Sequence, residues 1–333
     1  MEKELRSATD LLNLSNGYWH TCALHAGVKL DLFTALSACP FTAAKLAELV
    51  GCDERALAML LCALTAMGLL ERIDDSYAVA GISAEFLSKT SPRYLGHIIL
   101  HHHYLMSSWS HLDESVRSGG PIREQYLTGD ESAMRESFEM GMFDLAMQLA
   151  PRIVSRIELG GRRWLLDLGG GPGTYAIHFC QHNPGLSAIV FDLPTTRPFA
   201  EQTIARFNLS GRIDFVAGDF LAEPLQGSFD VAWLSHILHG QSPEECAVIV
   251  GRAKEALEPG GMILIQEFIL DDCLDGQVFP ALFSLNMLLN TEKGQAYSWG
   301  QLEKLLSDAG FRDLQRLPLQ LPNGAGVIAA IRP

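Results

Sequence analysis

The stretch Trp164-Leu-Leu-Asp-Leu-Gly-Gly-Gly-Pro-Gly-Thr174 constrains this chain more than any other. Its apolar start predicts a buried strand, and its run of glycines predicts a tight loop opening onto a helix. Backbone amides at such a helix start can approach a ligand closely. A dinucleotide fingerprint needs G-x-G-x-x-G, and counting from Gly169 the third glycine falls where Thr174 stands. The pattern is instead D-x-G-x-G-x-G, running from Asp167 through Gly169 and Gly171 to Gly173, with Gly170 between them. A carboxylate ahead of the first glycine disfavours a pyrophosphate and tolerates an aminoacyl sulfonium ligand, which carries no phosphate.

From Arg162 onward, short apolar runs alternate with helical stretches. WLLDLG, SAIVFDL, IDFVAGD, FDVAWLS and MILIQEFIL are the predicted strands, and Tyr175–His182, Pro198–Asn208 and Glu244–Leu257 the predicted helices. This alternation predicts a doubly wound, mostly parallel α/β sheet. Ligands of such sheets bind at the carboxyl ends of the strands. Asp192 ends the second strand, placed to accept both ribose hydroxyls of an adenosine-bearing cofactor, and Leu193 follows it. Asp219 and Phe220 close the third, where an acid can take the adenine amino group and a ring can cover the base. Ser235, at the end of the fourth, joins the predicted cofactor site.

Ahead of the sheet the chain reads as helical. Apolar residues recur at helical spacing from Leu5 to about Leu36, with Gly27 where one helix could give way to another. Thr42 can cap a helix through Leu49 that stops at Gly51, and Asp53 a second through Ala66 followed by Gly68. LLERIDDSYAVA then reads as a two-stranded wing turning at Asp74–Asp75–Ser76. The pattern is a winged helix, but its second helix, DERALAMLLCALTAM, has one Arg on an otherwise apolar surface. Packing or dimerisation suits it better than DNA reading. The expected division is residues 1–95 as a dimerisation domain, 96–160 as a helical connector broken near Gly119–Gly120–Pro121, and 161–333 as the catalytic domain.

Charge limits the partners. The formal net charge is −14, which argues against nucleic acid and against an anionic membrane surface. The seven cysteines are scattered, with no CxxC pair, as expected in a reducing compartment. MEKELRSATD is charged and lacks an apolar stretch, so no secretory signal is expected; with no run of about 18 apolar residues no membrane span is expected either, and the predicted location is the cytoplasm.

The DLGGGPG loop, the FDLP that follows it and the late LEPGGMILIQE resemble the class I S-adenosylmethionine-dependent methyltransferases, in particular the caffeic acid O-methyltransferase-like family. The resemblance covers essentially the whole chain. It implies S-adenosyl-L-methionine as cofactor, a homodimer, and methyl transfer to a hydroxyl of a small, aromatic metabolite. It also implies that His239 is the general base and that Glu267 orients it. A second orienting acid of the family is replaced by Ala296, and the Asp-Trp after the family histidine by Gly240–Gln241. His236, three residues earlier, is an alternative base.

The chemistry asks for such a residue. A phenol titrates near pH ~10 and is mostly protonated at neutrality, whereas an imidazole can take its proton as the methyl moves. For the acceptor, Met140, Phe143, Asp144 and Met147 share one helical face, and Phe283, Asn286, Met287 and Asn290 form another set. Methionine and phenylalanine would suit a planar ring. His97 and His101–His103 lack a HExxH pattern and an evident third ligand, so no resident metal is expected. The altered residues leave room for a carbon, nitrogen or sulfur acceptor, and the winged helix for a cofactor-sensing regulator.

Overall fold

The computed structural model describes all residues except 1–6, 123–124, 126–129 and 275. The chain forms two compact units, Met1–Tyr104 with Asp130–Asp144, and Leu105–Gly129 with Leu145–Pro333.

In the first unit, α1 (Ala8–Ser15), α2 (Tyr18–Lys29) and α3 (Leu32–Ala38) lead into strand β1 (Phe41–Thr42), α4 (Ala43–Val50) and α5 (Glu54–Ala66). Thr42 accepts from the Lys45 amide, Asp53 from that of Ala56, and Gly51 closes α4 at φ +69°. The wing is β2 (Leu70–Ile73) and β3 (Ser76–Val79), and β1 adds a third antiparallel strand that its two-residue length had hidden. Helix α6 (Gly81–Phe86) follows the wing. Leu32, Phe33, Leu46, Leu61 and Leu64 form the core.

Gly27 does not divide the first helices. It lies inside α2, where a Cβ would stand 2.9 Å from the Phe33 ring and 3.2 Å from Leu64. Close packing therefore explains this glycine. The breaks fall at Asn16–Gly17 and at Asp31, which adopts φ +54°. Leu5 is outside the described residues.

Helices α7 (Gly96–Trp109) and α9 (Glu131–Val154) have residues in both units, and α8 (Leu112–Ser118) ends at Gly119 with φ +74°. The second unit then alternates β4 (Trp164–Leu168), α10 (Thr174–His182), β5 (Ser187–Asp192), α11 (Arg197–Arg206), β6 (Ile213–Ala217), β7 (Phe229–Ser235), α12 (Pro243–Ala256) and β8 (Leu257–Leu270). Helix α13 (Val278–Asn290), β9 (Tyr297–Ser298), α14 (Trp299–Asp308), β10 (Arg312–Arg316) and β11 (Ala325–Ile331) complete it.

The sheet order is β10-β11-β8-β7-β4-β5-β6, with β4 to β8 parallel and the last two strands antiparallel, and β9 pairs beside β8. The order reverses between β4 and β7, so the loops following these strands meet at the switch point where such sheets bind ligands. Both faces are buried. Leu165, Val231, Trp233 and Leu264 face one apolar cluster, and Leu166, Leu234, Ile263 and Ile265 the other, which explains continuous apolar runs instead of alternation. Trp233 is fully buried, its ring 4.8 Å from Tyr175 and 5.2 Å from Phe179. Trp233→Ala should therefore cost about 3–5 kcal/mol, measured as a fall in unfolding free energy in urea. A change below about 1 kcal/mol would contradict this packing.

Candidate functional site

The glycine loop is shaped by what surrounds it. Gly169, Gly171 and Gly173 all have positive φ. A Cβ at Gly169 would meet Ile237 Cγ2 at 2.5 Å, and one at Gly170 the Asp167 carboxyl carbon at 2.6 Å. Side chains at these positions would collide with the loop's own supports, which accounts for the glycines.

Two carboxylates hold the loop. Asp167 is 1% exposed and accepts from the Ala176 amide at 3.1 Å, tying strand β4 to the first turn of α10. Burial pushes its carboxyl up to about 7, although the Ala176 N–H works against this and nearby Asp192 adds to it. Asp192 accepts from the Gly171 amide at 2.8 Å and the Leu193 amide at 2.6 Å. Burial raises its carboxyl too, opposed by these N–H donors. Asp167 sets a pH dependence. Between pH ~4, where a free carboxyl titrates, and about 7, the unfolded chain gives up this proton and the folded chain keeps it. The contribution to stability is thus complete below that window and declines as pH rises through it. Asp167→Asn should flatten this component, seen as a smaller loss of melting temperature from pH 5 to 7.5 than in the wild type. Equal losses would contradict the assignment.

The other predicted cofactor residues lie along the same edge. Asp219 is exposed and accepts from the Leu221 amide at 2.8 Å, capping its own turn. Phe220 packs partly buried against the second cluster. Leu193 is 48% exposed, and Ser235 donates to Gln266 Oε1 at 3.3 Å.

After β7 the chain turns sharply. His236 adopts φ +57°, and a short 3-10 turn over Leu238–Gly240 carries His239. Glu267, 1% exposed on β8, gathers this segment. Its Oε1 accepts from the Leu238 amide at 2.9 Å and the His239 amide at 3.3 Å. Its Oε2 lies 2.7 Å from His239 Nδ1 and 3.5 Å from His236 Nδ1. Burial opposes ionisation of Glu267, but His239 and His236 outweigh it and hold the carboxyl well below the usual range. An ionised carboxylate can only accept, so His239 Nδ1 carries the proton and, in the neutral ring, Nε2 keeps a free lone pair.

Aromatic rings flank these groups. The His239 ring meets Phe283 edge-on at 4.7 Å, and the His236 ring lies 4.4 Å from Phe268. Phe268 in turn contacts Phe279 and Phe283 at 4.9 and 4.8 Å. Sequence reasoning missed Phe268, Phe279 and fully buried Gln266, whose Nε2 lies 3.3 Å from His236 Nε2. The available signal was IQEF, with two polar residues inside a strand buried on both faces. At Ala296, 4% exposed, the amide donates to Ser284 Oγ at 3.2 Å, and the neighbouring Gln295 amide donates to the His239 carbonyl at 2.8 Å.

The predicted acceptor residues divide between the units. In the second, Asn286 Oδ1 accepts from Trp109 Nε1 at 3.0 Å, Asn290 donates to the Asn286 carbonyl, and Met287 is buried on the same helix as Phe283. Met147 Sδ lies 3.3 Å from His178 Nε2. In the first, Phe143 is buried, Met140 half-buried, and Asp144 pairs with His97 Nδ1 at 3.1 Å. His101 is buried against the Phe138 ring, and His103 Nε2 lies 3.0 Å from Lys29 Nζ.

Residues 109–312 match the O-methyltransferase domain and residues 12–89 the O-methyltransferase dimerisation domain. The chain is 34% identical to the 3-hydroxy-5-methyl-1-naphthoate 3-O-methyltransferase of Streptomyces sahachiroi, over 97% of this chain and 95% of the relative. It is 32% identical to the tetracenomycin polyketide synthesis 8-O-methyl transferase of Streptomyces glaucescens, over 96% of each. Human N-acetylserotonin methyltransferase in complex with SAM superposes with a TM-score of 0.87 at 27% identity, over 100% of this chain and 99% of the other.

Proposed function

We propose that this chain, which belongs to the S-adenosylmethionine-dependent O-methyltransferase family, methylates a phenolic hydroxyl of a fused-ring aromatic metabolite with His239 as general base. The observation that carries this reading is the His239–Glu267 pair at 2.7 Å, with Phe283 against the histidine ring. The relatives' names support the acceptor class, since one acts on a naphthoate and the other in tetracenomycin synthesis. The test is incubation with isotope-labelled S-adenosylmethionine and a panel of hydroxynaphthoates and larger phenols. Product on a phenolic oxygen supports the reading, and product on carbon or nitrogen alone counts against it.

The residues fit the cofactor: a Cβ at Gly171 would meet nothing within 4 Å, so the loop backbone is open there, and among the loop's described residues, Asp167 to Thr174, there is no Lys or Arg to receive a pyrophosphate. S-adenosylmethionine supplies an electrophilic methyl on a sulfonium. In this reading Asp167 braces the loop of Gly169, Gly170, Gly171 and Gly173, and Asp192 takes the ribose hydroxyls beside Leu193. Asp219 and Phe220 receive the adenine, and Ser235 completes the site. His239 Nε2 accepts the hydroxyl proton, and Glu267 holds the ring in the required tautomer and stabilises the imidazolium. Glu267→Gln keeps the shape and loses the charge. It should lower kcat by about 10²–10⁴-fold, because an amide at Nδ1 favours the wrong tautomer of the base, with little change in acceptor KM; a kcat within twofold of wild type would remove Glu267 from this role.

Within the second unit, Asn286, Met287, Asn290 and Met147 are the proposed acceptor contacts. The proposed functional division remains 1–95, 96–160 and 161–333, in a cytoplasmic homodimer. Among the described residues no helix is long and apolar enough to cross a membrane. Leu12, Leu14, Tyr18 and Trp19 are 58–67% exposed, and a second copy covering them would bury apolar area that water now meets. Leu12→Glu with Trp19→Glu should halve the mass by light scattering. An unchanged dimer would place the interface elsewhere.

A further inference from the structure

We propose that His236, His239 and Glu267 bind a divalent transition-metal cation of the zinc class, and that occupancy switches the enzyme off. The inference rests on His239 being the base. Among the described residues this is the one group of three whose potential ligand atoms lie within 4.8 Å of one another. Two imidazoles and a carboxylate, with a remaining position for solvent, are a donor set that zinc takes.

The group is already converged. Glu267 Oε1 is occupied by two amides, so Oε2 is the oxygen left facing both rings, 2.7 and 3.5 Å from their Nδ1 atoms. His236 is held in the left-handed region, its amide donating to the Gln266 carbonyl at 2.9 Å. Its Nδ1 is buried and makes no hydrogen bond. A non-glycine residue in that conformation carries strain that its surroundings must maintain. The side chains of His236 and His239 are 23% and 15% exposed, so solvent meets part of each ring, while His236 Nδ1 and Glu267 lie beneath them.

Inhibition follows from the tautomer. A metal ligates His239 through a deprotonated Nδ1, so in the neutral ring the proton sits on Nε2. No bond to the acceptor changes and the ring's net proton count is the same, but the lone pair that takes the hydroxyl proton is gone. The cation therefore inhibits without displacing S-adenosylhomocysteine.

The test uses full-length, tag-free protein titrated with Co²⁺ and with Zn²⁺. His236→Asn is the first variant, because asparagine tolerates left-handed backbone, and His236→Gly the second in case the first does not fold. The wild type should bind one Co²⁺ with the visible spectrum of nitrogen and oxygen ligation. The His236 variant should bind at least about tenfold more weakly, no less than an outer-shell partner is worth. Zn²⁺ should inhibit in proportion to occupancy. Exposed Cys22, Cys39, Cys62 and Cys273 offer competing thiols, which would give an intense thiolate charge-transfer band. Such a band for the inhibitory ion, undiminished binding in the His236 variant, or full activity at full occupancy would each overturn the proposal. A fully active metal-free His239→Ala enzyme would instead overturn the base assignment, and leave the Co²⁺ titration standing.

Discussion

His239→Ala lowers kcat by about 10²–10⁴-fold with a phenol that is protonated at the assay pH, while affinity for S-adenosylhomocysteine stays within about twofold. The size follows from the role proposed for the side chain. A positioned base removes the proton as the methyl leaves sulfur, and no other imidazole holds the same relation to Glu267. His236 Nδ1 is 0.8 Å farther from Oε2 than that of His239 (3.5 against 2.7 Å), and its Nε2 faces the Gln266 amide instead of open space. The retained affinity follows because the proposed cofactor residues other than Ser235 lie on other strand ends. Equal loss in kcat and in cofactor binding would mean that His239 supports the fold and not the chemistry. Single-turnover rates and calorimetry on the same preparation separate the two.

Asp192→Ala raises the dissociation constant for S-adenosylmethionine by about 10–150-fold, the equivalent of losing hydrogen bonds to a charged group worth roughly 1.5–3 kcal/mol. In the proposed site this carboxylate has two functions in one place. It accepts the amides of Gly171 and Leu193, which fixes the loop, and it has lone pairs left for the ribose. At saturating cofactor, kcat should recover to within about tenfold, since the base and its partner are untouched. Calorimetric titration checks the first statement and steady-state kinetics the second. A variant with unchanged affinity would reduce Asp192 to a loop cap, the role that Asp219 already fills toward Leu221.

The parallel half of the sheet was legible because its signals are local. Apolar runs buried on both faces, the glycine loop, and acids at Asp192 and Asp219 can each be read within a few residues. The antiparallel strands β10 and β11 were not anticipated. RDLQR is largely polar at the sheet's edge, and AGVIAAI is a short apolar run whose pairing with β8 is a long-range fact. The Gly27 break failed for a related reason: the glycine serves packing against Phe33 and Leu64, which spacing cannot reveal.

At the site, His239 and Glu267 are legible only through the family resemblance, and the fold joins them across 28 positions. What sequence could not supply is the sharing of Glu267 by two histidines. That arrangement depends on the left-handed turn at His236, where no glycine marks the backbone. Ala296 also reads differently in three dimensions. The family's second acid is absent there, and the Gln295 amide holds the His239 carbonyl from the same loop.

The central claim is that His239 removes the acceptor's proton. Its most direct test is the rate penalty of His239→Ala across a series of phenols of one shape and falling pKa. Once the phenol is already ionised at the assay pH there is no proton to remove. The penalty should therefore shrink from about 10²–10⁴-fold towards unity as the acceptor pKa drops below the pH. A penalty that stays constant across the series would contradict the claim.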